Sequence, residues 1–190
     1  MNWRILHYEK LDSTNNLALS FAKEGAEEGT VVVAEFQTKG RGRFERTWIS
    51  SRGRGLLFSI LLRPNMEINA APILTQVAAQ TVVEVLAGKF KLSAKIKRPN
   101  DVLVSGKKIA GILTEASGTG NKLEYVVVGI GLNVTTPQKE LLHSATSIFV
   151  ETKQKPAKDK ILLDLLGVFK QKYTEFNRGR SIARKSQVHV

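Results

Sequence analysis

Between Ala94 and Val128 the chain returns to a strand-like run four times with almost no sequence in between. Ala94 to Lys97, Val102-Leu103-Val104, Lys108 to Glu115 and Leu123 to Val128 are separated by short turns, among them Ser105-Gly106 and Gly118-Thr119-Gly120-Asn121. Parallel neighbours need crossovers of about a dozen residues or more, and hairpins need only a few, so this portion folds as antiparallel hairpins. Earlier strands are read at Ile5 to Leu11, at the β-branched run Val31 to Phe36, and at Leu56 to Arg63, which Pro64 stops. Apolar residues at helical spacing (Ile73, Leu74, Val77, Ala78, Val82, Val85, Leu86) predict a core-facing helix over 70–88 ending at Gly88. A second helix is expected over 159–176 and a shorter one from Asn16 to Lys23. Helices and hairpins are partly segregated, which gives an α+β fold with a mixed, largely antiparallel central sheet and helices packed on it.

The glycine-spaced cations between these runs say what such a sheet would carry. Lys39-Gly40-Arg41-Gly42-Arg43-Phe44-Glu45-Arg46-Thr47-Trp48 follows one strand, and Lys97-Arg98-Pro99-Asn100-Asp101 precedes Gly106-Lys107-Lys108-Ile109-Ala110-Gly111. Glycines let backbone N–H groups approach phosphate oxygens, and Arg and Lys neutralise the charge. Neither segment is a P-loop or a dinucleotide-fold fingerprint, so a different nucleotide chemistry is implied. The net charge is +12, and residues 39–54 hold six cations against one anion, Glu45. Four more cations, Arg178, Arg180, Arg184 and Lys185, fall in the last thirteen residues. Such a balance favours an acidic partner.

There are no cysteines, which excludes disulfides and thiolate chemistry, and three scattered histidines (His7, His143, His189) offer no metal-ligand spacing. No signal peptide and no apolar run of membrane-spanning length are read, so the expectation is a cytoplasmic protein without a membrane partner. One domain over 1–178 and a basic tail over 179–190 is the expected organisation, with 151–159 as an exposed connection.

Taken alone, Ser13-Thr14 is an N-cap, a Gly-Arg-Gly-Arg loop is a solvated linker, Trp48 is a core aromatic and Lys108 is a turn lysine. Their order changes that reading. Asp12-Ser13-Thr14-Asn15, Gln37 before Gly40-Arg41-Gly42-Arg43 and Trp48, Lys97-x-Pro99-Asn100-Asp101, Gly106-Lys107-Lys108-Ile109-Ala110-Gly111-Ile112-Leu113-x-Glu115, Gly129-Ile130-Gly131-Leu132-Asn133-Val134 and Ala145-Thr146-Ser147 resemble the catalytic domain of biotin protein ligases, over roughly residues 5–150.

The resemblance implies a class II synthetase-like fold and a two-step reaction. Biotin and ATP with Mg2+ give biotinyl-5'-AMP, and the biotinyl group then passes to a lysine of a biotin carboxyl carrier domain. It also implies roles. Ser13, Thr14 and Gln37 would bind the ureido ring, with Asn15 supporting the turn. The loop of Gly40, Arg41, Gly42 and Arg43 would close over the intermediate, with Arg43 on the carboxylate and phosphate and Arg46 near the pyrophosphate. Trp48 would stack on adenine and Asn133 would read its edge. Lys108 would stabilise charge at the acyl-phosphate junction, Lys97, Asn100, Gly111 and Gly131 would complete the binding site, and Asp101 would stand nearest Mg2+. Two positions depart from the family pattern: Arg98 stands where Trp is usual, and Phe44-Glu45 replace a small or basic pair.

Without a helix-turn-helix ahead of the first strand, no sequence-specific DNA binding is expected. The family's C-terminal SH3-like barrel is expected to be missing or vestigial, and a homodimer is allowed by the resemblance. Three other readings stand beside the ligase: a lipoate or octanoate ligase or transferase of the same fold, a basic nucleic-acid-binding module, and a degenerate ligase that binds without transferring.

Overall fold

The computed structural model describes the backbone of residues 1–186 and the side chains of residues 1–178; Gln187–Val190, with His189, and the side chains of Arg180, Arg184 and Lys185 from the predicted tail lie outside the described residues. In chain order the elements are β1 (Arg4–Tyr8), α1 (Thr14–Lys23), β2 (Thr30–Ala34), β3 (Gly55–Leu62), α2 (Pro72–Phe90), β4 (Ala94–Lys97), β5 (Asp101–Val104), β6 (Lys107–Thr119), β7 (Lys122–Asn133), α3 (Ile148–Thr152) and α4 (Lys158–Ser186).

The strands form one seven-stranded sheet in the order β1-β2-β3-β7-β6-β5-β4. Every pairing is antiparallel except β1 with β2. That exception follows from α1, which carries the chain back to the same end of the sheet and so sets β2 parallel to β1. The expected α+β architecture is the one found.

The two faces of the sheet are covered differently. Leu56, Phe58, Ile60, Ile112, Val126, Val128, Ile130 and Leu132 point into the main core, where α2 and α4 lie. On the other face Val32, Leu61, Tyr125 and Val127 pack with Ala18 and Ala22 of α1. At ten residues, α1 is too short to cover that face from end to end.

Several boundaries differ from the sequence reading. β7 was expected to stop at Val128 but runs to Asn133 through Gly129 and Gly131, because it is central and both neighbours hold it: β3 from Leu62↔Val126 to Gly55↔Asn133, and β6 as far as Ala110↔Leu132. Glycine weakens a strand, but pairing on two sides overrides that preference. A short helix, α3, was not anticipated. Ser147 caps it by accepting from the N–H of Val150 at 3.1 Å. α4 continues to Ser186 instead of ending near Phe176.

The stretch Ile68–Phe90 is, by length and a mean hydropathy of 1.4, long and apolar enough to cross a membrane. It is not a continuous apolar run, because Asn69, Thr75, Gln76, Gln80 and Thr81 interrupt it. Here it is a core helix: Leu74, Ala78, Val82 and Leu86 are fully buried, and α4 lies against it with ion pairs from Lys89 to Asp164 (3.0 Å) and from Lys172 to Glu84 (2.7 Å). A helix apolar on most sides is what a position between a sheet and a second helix requires.

α4 contributes Leu162, Leu165, Leu166 and Phe169 to the core, each no more than 1% exposed, and the ring of Phe169 stacks on Tyr173 at 6.0 Å. Deleting a buried leucine costs its transfer energy plus that of the cavity, so Leu165→Ala is expected to lower stability by about 2–5 kcal/mol in chemical denaturation. A loss well under ~1 kcal/mol would mean that α4 is not part of the core.

Candidate active site

Where α1 stops covering its face, the sheet surface has almost no side chains. Gly129 and Gly131 alternate with core residues on β7, and Gly131 is the register partner of Gly111 on β6. Leu57, Gly131, Gly111, Asp101 and Lys97 therefore form one row across β3, β7, β6, β5 and β4. A Cβ at Gly129 would lie 2.0 Å from Asn15 Oδ1, and one at Gly131 2.5 Å from the Trp48 indole. One at Gly111 would lie 3.0 Å from the same indole and 3.1 Å from Lys108 Cε. The glycines are the floor of a cleft of about 530 Å3.

One end of the cleft is uncharged. Ser13 has the extended backbone of an N-cap, yet its side chain makes no capping bond; it lines the cleft instead. The turn is held by Asp12, whose carboxylate accepts from Ser13 N at 2.6 Å and Asn16 Nδ2 at 2.7 Å. The Asn16 amide, helped by the backbone bonds and the nearby Lys39 charge, holds the Asp12 carboxyl below the usual carboxylate range. Thr14 donates to Gln37 Oε1 from its N–H (2.6 Å) and its hydroxyl (3.0 Å). A backbone N–H can only donate, so the oxygen of Gln37 must face Thr14, and its NH2 is what it can offer the cleft. Beneath, Ser59 donates to Asn15 Oδ1 at 2.6 Å and lies 2.8 Å from Thr14 Oγ1.

The other end is cationic. Residues 40–48 form a small hairpin, closed by Gly42 N to Arg46 O (2.7 Å) and Trp48 N to Gly40 O (2.9 Å). Its tip holds Phe44 and Glu45 at φ 53° and 59°, and Phe44 is 80% exposed. Left-handed backbone costs a non-glycine residue roughly 1–2 kcal/mol, so the tip is under strain. Lys108 Nζ is 2.7 Å from Asp101 Oδ1 and 5.5 Å from the centre of the Trp48 ring. Arg41 pairs with Glu115 at 2.6 Å. Among the described residues no carboxylate pairs with Arg43, Arg46, Lys97 or Arg98, all of which line the cleft.

Ser13, Thr14, Asn15, Gln37, Arg41, Gly42, Arg43, Arg46, Trp48, Lys97, Asn100, Asp101, Lys108, Gly111 and Gly131 are thus brought to one cleft. Two predicted residues are not. Gly40 lies at the base of the hairpin, where a Cβ would meet the Trp48 carbonyl at 2.4 Å. Asn133 is buried and off the cleft wall; its amide donates to Thr146 O at 3.0 Å and ties β7 to the segment beside Lys108. Asn100 reaches the cleft, but its amide is engaged with Ile112 O at 2.9 Å. Asp101 is occupied by Lys108, and no group of three His, Cys, Asp or Glu that could hold a metal occurs among the described residues.

The sequence reading assigned no role to Ser59, Gly129 or Glu115. Ser59 left a signal, as the one polar residue within the apolar run Leu56–Leu62.

The description "Biotin/lipoate A/B protein ligase family" matches residues 8–133. A bifunctional ligase/repressor BirA of Bacillus subtilis is 36% identical over 180 residues, which are 93% of this chain and 55% of that protein. The chain thus spans about half the length of that relative. A biotin–[acetyl-CoA-carboxylase] ligase of Mycobacterium tuberculosis is 31% identical over 99% of this chain and 75% of its own. Among solved structures, the biotin protein ligase of Aquifex aeolicus in complex with biotin and ATP superimposes with a TM-score of 0.78 at 30% identity, covering 92% of this chain and 72% of that one.

If the glycine floor is what seats the indole, Gly131→Ala is expected to displace Trp48, shifting its fluorescence while far-ultraviolet dichroism stays native. An unchanged emission spectrum would place the indole elsewhere.

Proposed function

The chain belongs to the biotin/lipoate A/B protein ligase family, and from that premise we propose that it joins biotin to ATP as biotinyl-5'-AMP and then passes the biotinyl group to a lysine of a biotin carboxyl carrier domain. One observation supports this most: a cleft built over three glycines, with Asn15 and the Trp48 indole seated on them, runs from an uncharged pocket to a cluster of cations without carboxylate partners. Biotin has that layout, with a neutral cyclic urea at one end, an apolar body and chain, and a carboxylate at the other. The Ser13 hydroxyl and the Gln37 NH2 suit the urea, and the cleft between that end and the Trp48 indole suits the rings and the chain.

In the first step a biotin carboxylate oxygen attacks the α-phosphorus, forming the acyl-phosphate bond as the bond to pyrophosphate breaks. Negative charge builds on the phosphoryl oxygens and on the leaving group, so the site has mainly to position and neutralise. Arg43 and Arg46 are the cations for the phosphates, the exposed face of Trp48 is the wall for adenine, and Lys108 stands at the junction. Mg2+ enters as part of the nucleotide substrate. In the second step the lysine amine attacks the acyl carbon and AMP departs. The chain's net charge of +12 would speed encounter with an acidic carrier domain.

Biotin-dependent exchange of pyrophosphate into ATP tests the first step, with lipoate run in parallel. Exchange with biotin alone is expected, and exchange with lipoate alone would favour the lipoate reading. Lys108→Ala is expected to lower the exchange rate by about 10²–10³-fold, the scale of removing one preorganised charge contact. Near-wild-type exchange in that variant would remove Lys108 from the chemistry.

A further inference from the structure

Glu115 stands near the middle of β6, on the same face as Gly111 and opposite Val127 of β7. Its two oxygens go separate ways. Oε2 accepts from Asn15 Nδ2 at 2.8 Å, and Oε1 accepts from Arg41 NH2 at 2.6 Å. The second guanidinium nitrogen of Arg41 donates to Asn16 Oδ1 at 2.6 Å, so the arginine is gripped from both the sheet and α1.

Asn15 is a fixed point. It is 3% exposed, gives a further bond to Leu113 O at 3.2 Å, accepts from Ser59, and lies directly over Gly129, where even a methyl group would collide with it. Arg41 is more open to solvent: it stands in the first strand of the cationic hairpin, bridged to Thr47, and its side chain is 41% exposed. An exposed ion pair by itself contributes little, but a charge held within a network that includes a buried partner contributes more.

We propose that Glu115 is a positioning residue that fastens the root of the cationic hairpin to Asn15, so that the loop over the phosphates and the pocket for the urea keep a fixed relation. Both of its partners are donors, so the group between them must accept on both sides. A carboxylate does so, whereas glutamine has one acceptor oxygen and would turn its NH2 toward a donor on the other side. Glu115 touches neither substrate; it acts through Arg41 and Asn15. The catalytic part of this proposal rests on the ligase reading above.

The test compares the wild-type chain with Glu115→Gln, Arg41→Ala and the double variant, using two readouts. In the unliganded proteins, hydrogen exchange at the Gly42 and Trp48 amides, both bonded within the hairpin, is expected to quicken roughly tenfold in each single variant and no further in the double, because the two changes cut the same tether. With biotin and ATP, release of the adenylate is expected to rise by about tenfold in Glu115→Gln, the loss expected for a charge-assisted bond, while the melting temperature stays within ~2 °C of wild type. Unchanged amide exchange in Glu115→Gln, additive effects in the double variant, or faster release accompanied by a large fall in melting temperature would each overturn the proposal. A wild-type chain without biotin-dependent pyrophosphate exchange would bring down the ligase reading alone, since amide exchange in the unliganded chain still decides the tether.

Discussion

A strip of sheet without side chains is the constraint on which the rest of this molecule depends. Gly129, Gly131 and Gly111 occupy three positions where a Cβ would strike Asn15, Trp48 or Lys108. Placed elsewhere, glycine would only weaken the strands. Here β7 tolerates it because β3 and β6 hold the strand from both sides, and the reverse face of the same segment is fully apolar, with Val128, Ile130 and Leu132 under α2 and α4. The core on one face thus stabilises an absence on the other. That absence lets an indole and the Asn15 amide lie almost on the backbone.

Around the strip, polarity is sorted by position along the sheet. At the α1 end the polar groups that face the cleft are neutral, and hydrogen bonding fixes their orientation in sequence: the Glu115 carboxylate orients the Asn15 amide, Asn15 Oδ1 takes the Ser59 proton, and the Thr14 N–H orients Gln37. Only Ser13 and the Gln37 NH2 are left to address a ligand. At the β4–β5 end the charges are cations, two of them neutralised by Asp101 and Glu115 and four without a carboxylate partner. Arg98 adds to that set where Trp is usual in the family pattern. The strained tip at Phe44 and Glu45 shows that the hairpin's shape is held by its closing bonds and its root, with no help from the conformational preferences of its tip residues.

Most of the fold was legible in the sequence because its signals were local. Short turns between Ala94 and Val128 leave antiparallel pairing as the one economical solution, and α2 announces itself by spacing. Ser13, Thr14, Gln37, Lys108 and the hairpin arginines were found through the order of their motifs. What the sequence concealed was set by register across strands. Gly129 and Gly131 looked like the end of a strand, and only their pairing with Ser59, Leu57, Leu113 and Gly111 makes them a floor. Asn133 was assigned to the cleft by the resemblance, but it is buried and its amide is taken by Thr146 O. Glu115 was visible as a motif residue, and its role depends on partners far earlier in the chain: Asn15 lies 100 residues before it and Arg41 lies 74 before it.

The most direct measurement is calorimetric titration of biotin, beside lipoate, into the unliganded chain and into Gln37→Leu. If the neutral end of the cleft reads a cyclic urea, biotin binds saturably, lipoate binds far more weakly, and Gln37→Leu weakens biotin by about tenfold or more, because the amide donor is lost and the Thr14 N–H is left without its acceptor. Equal binding of the two acids, or biotin binding indifferent to Gln37, would contradict the account.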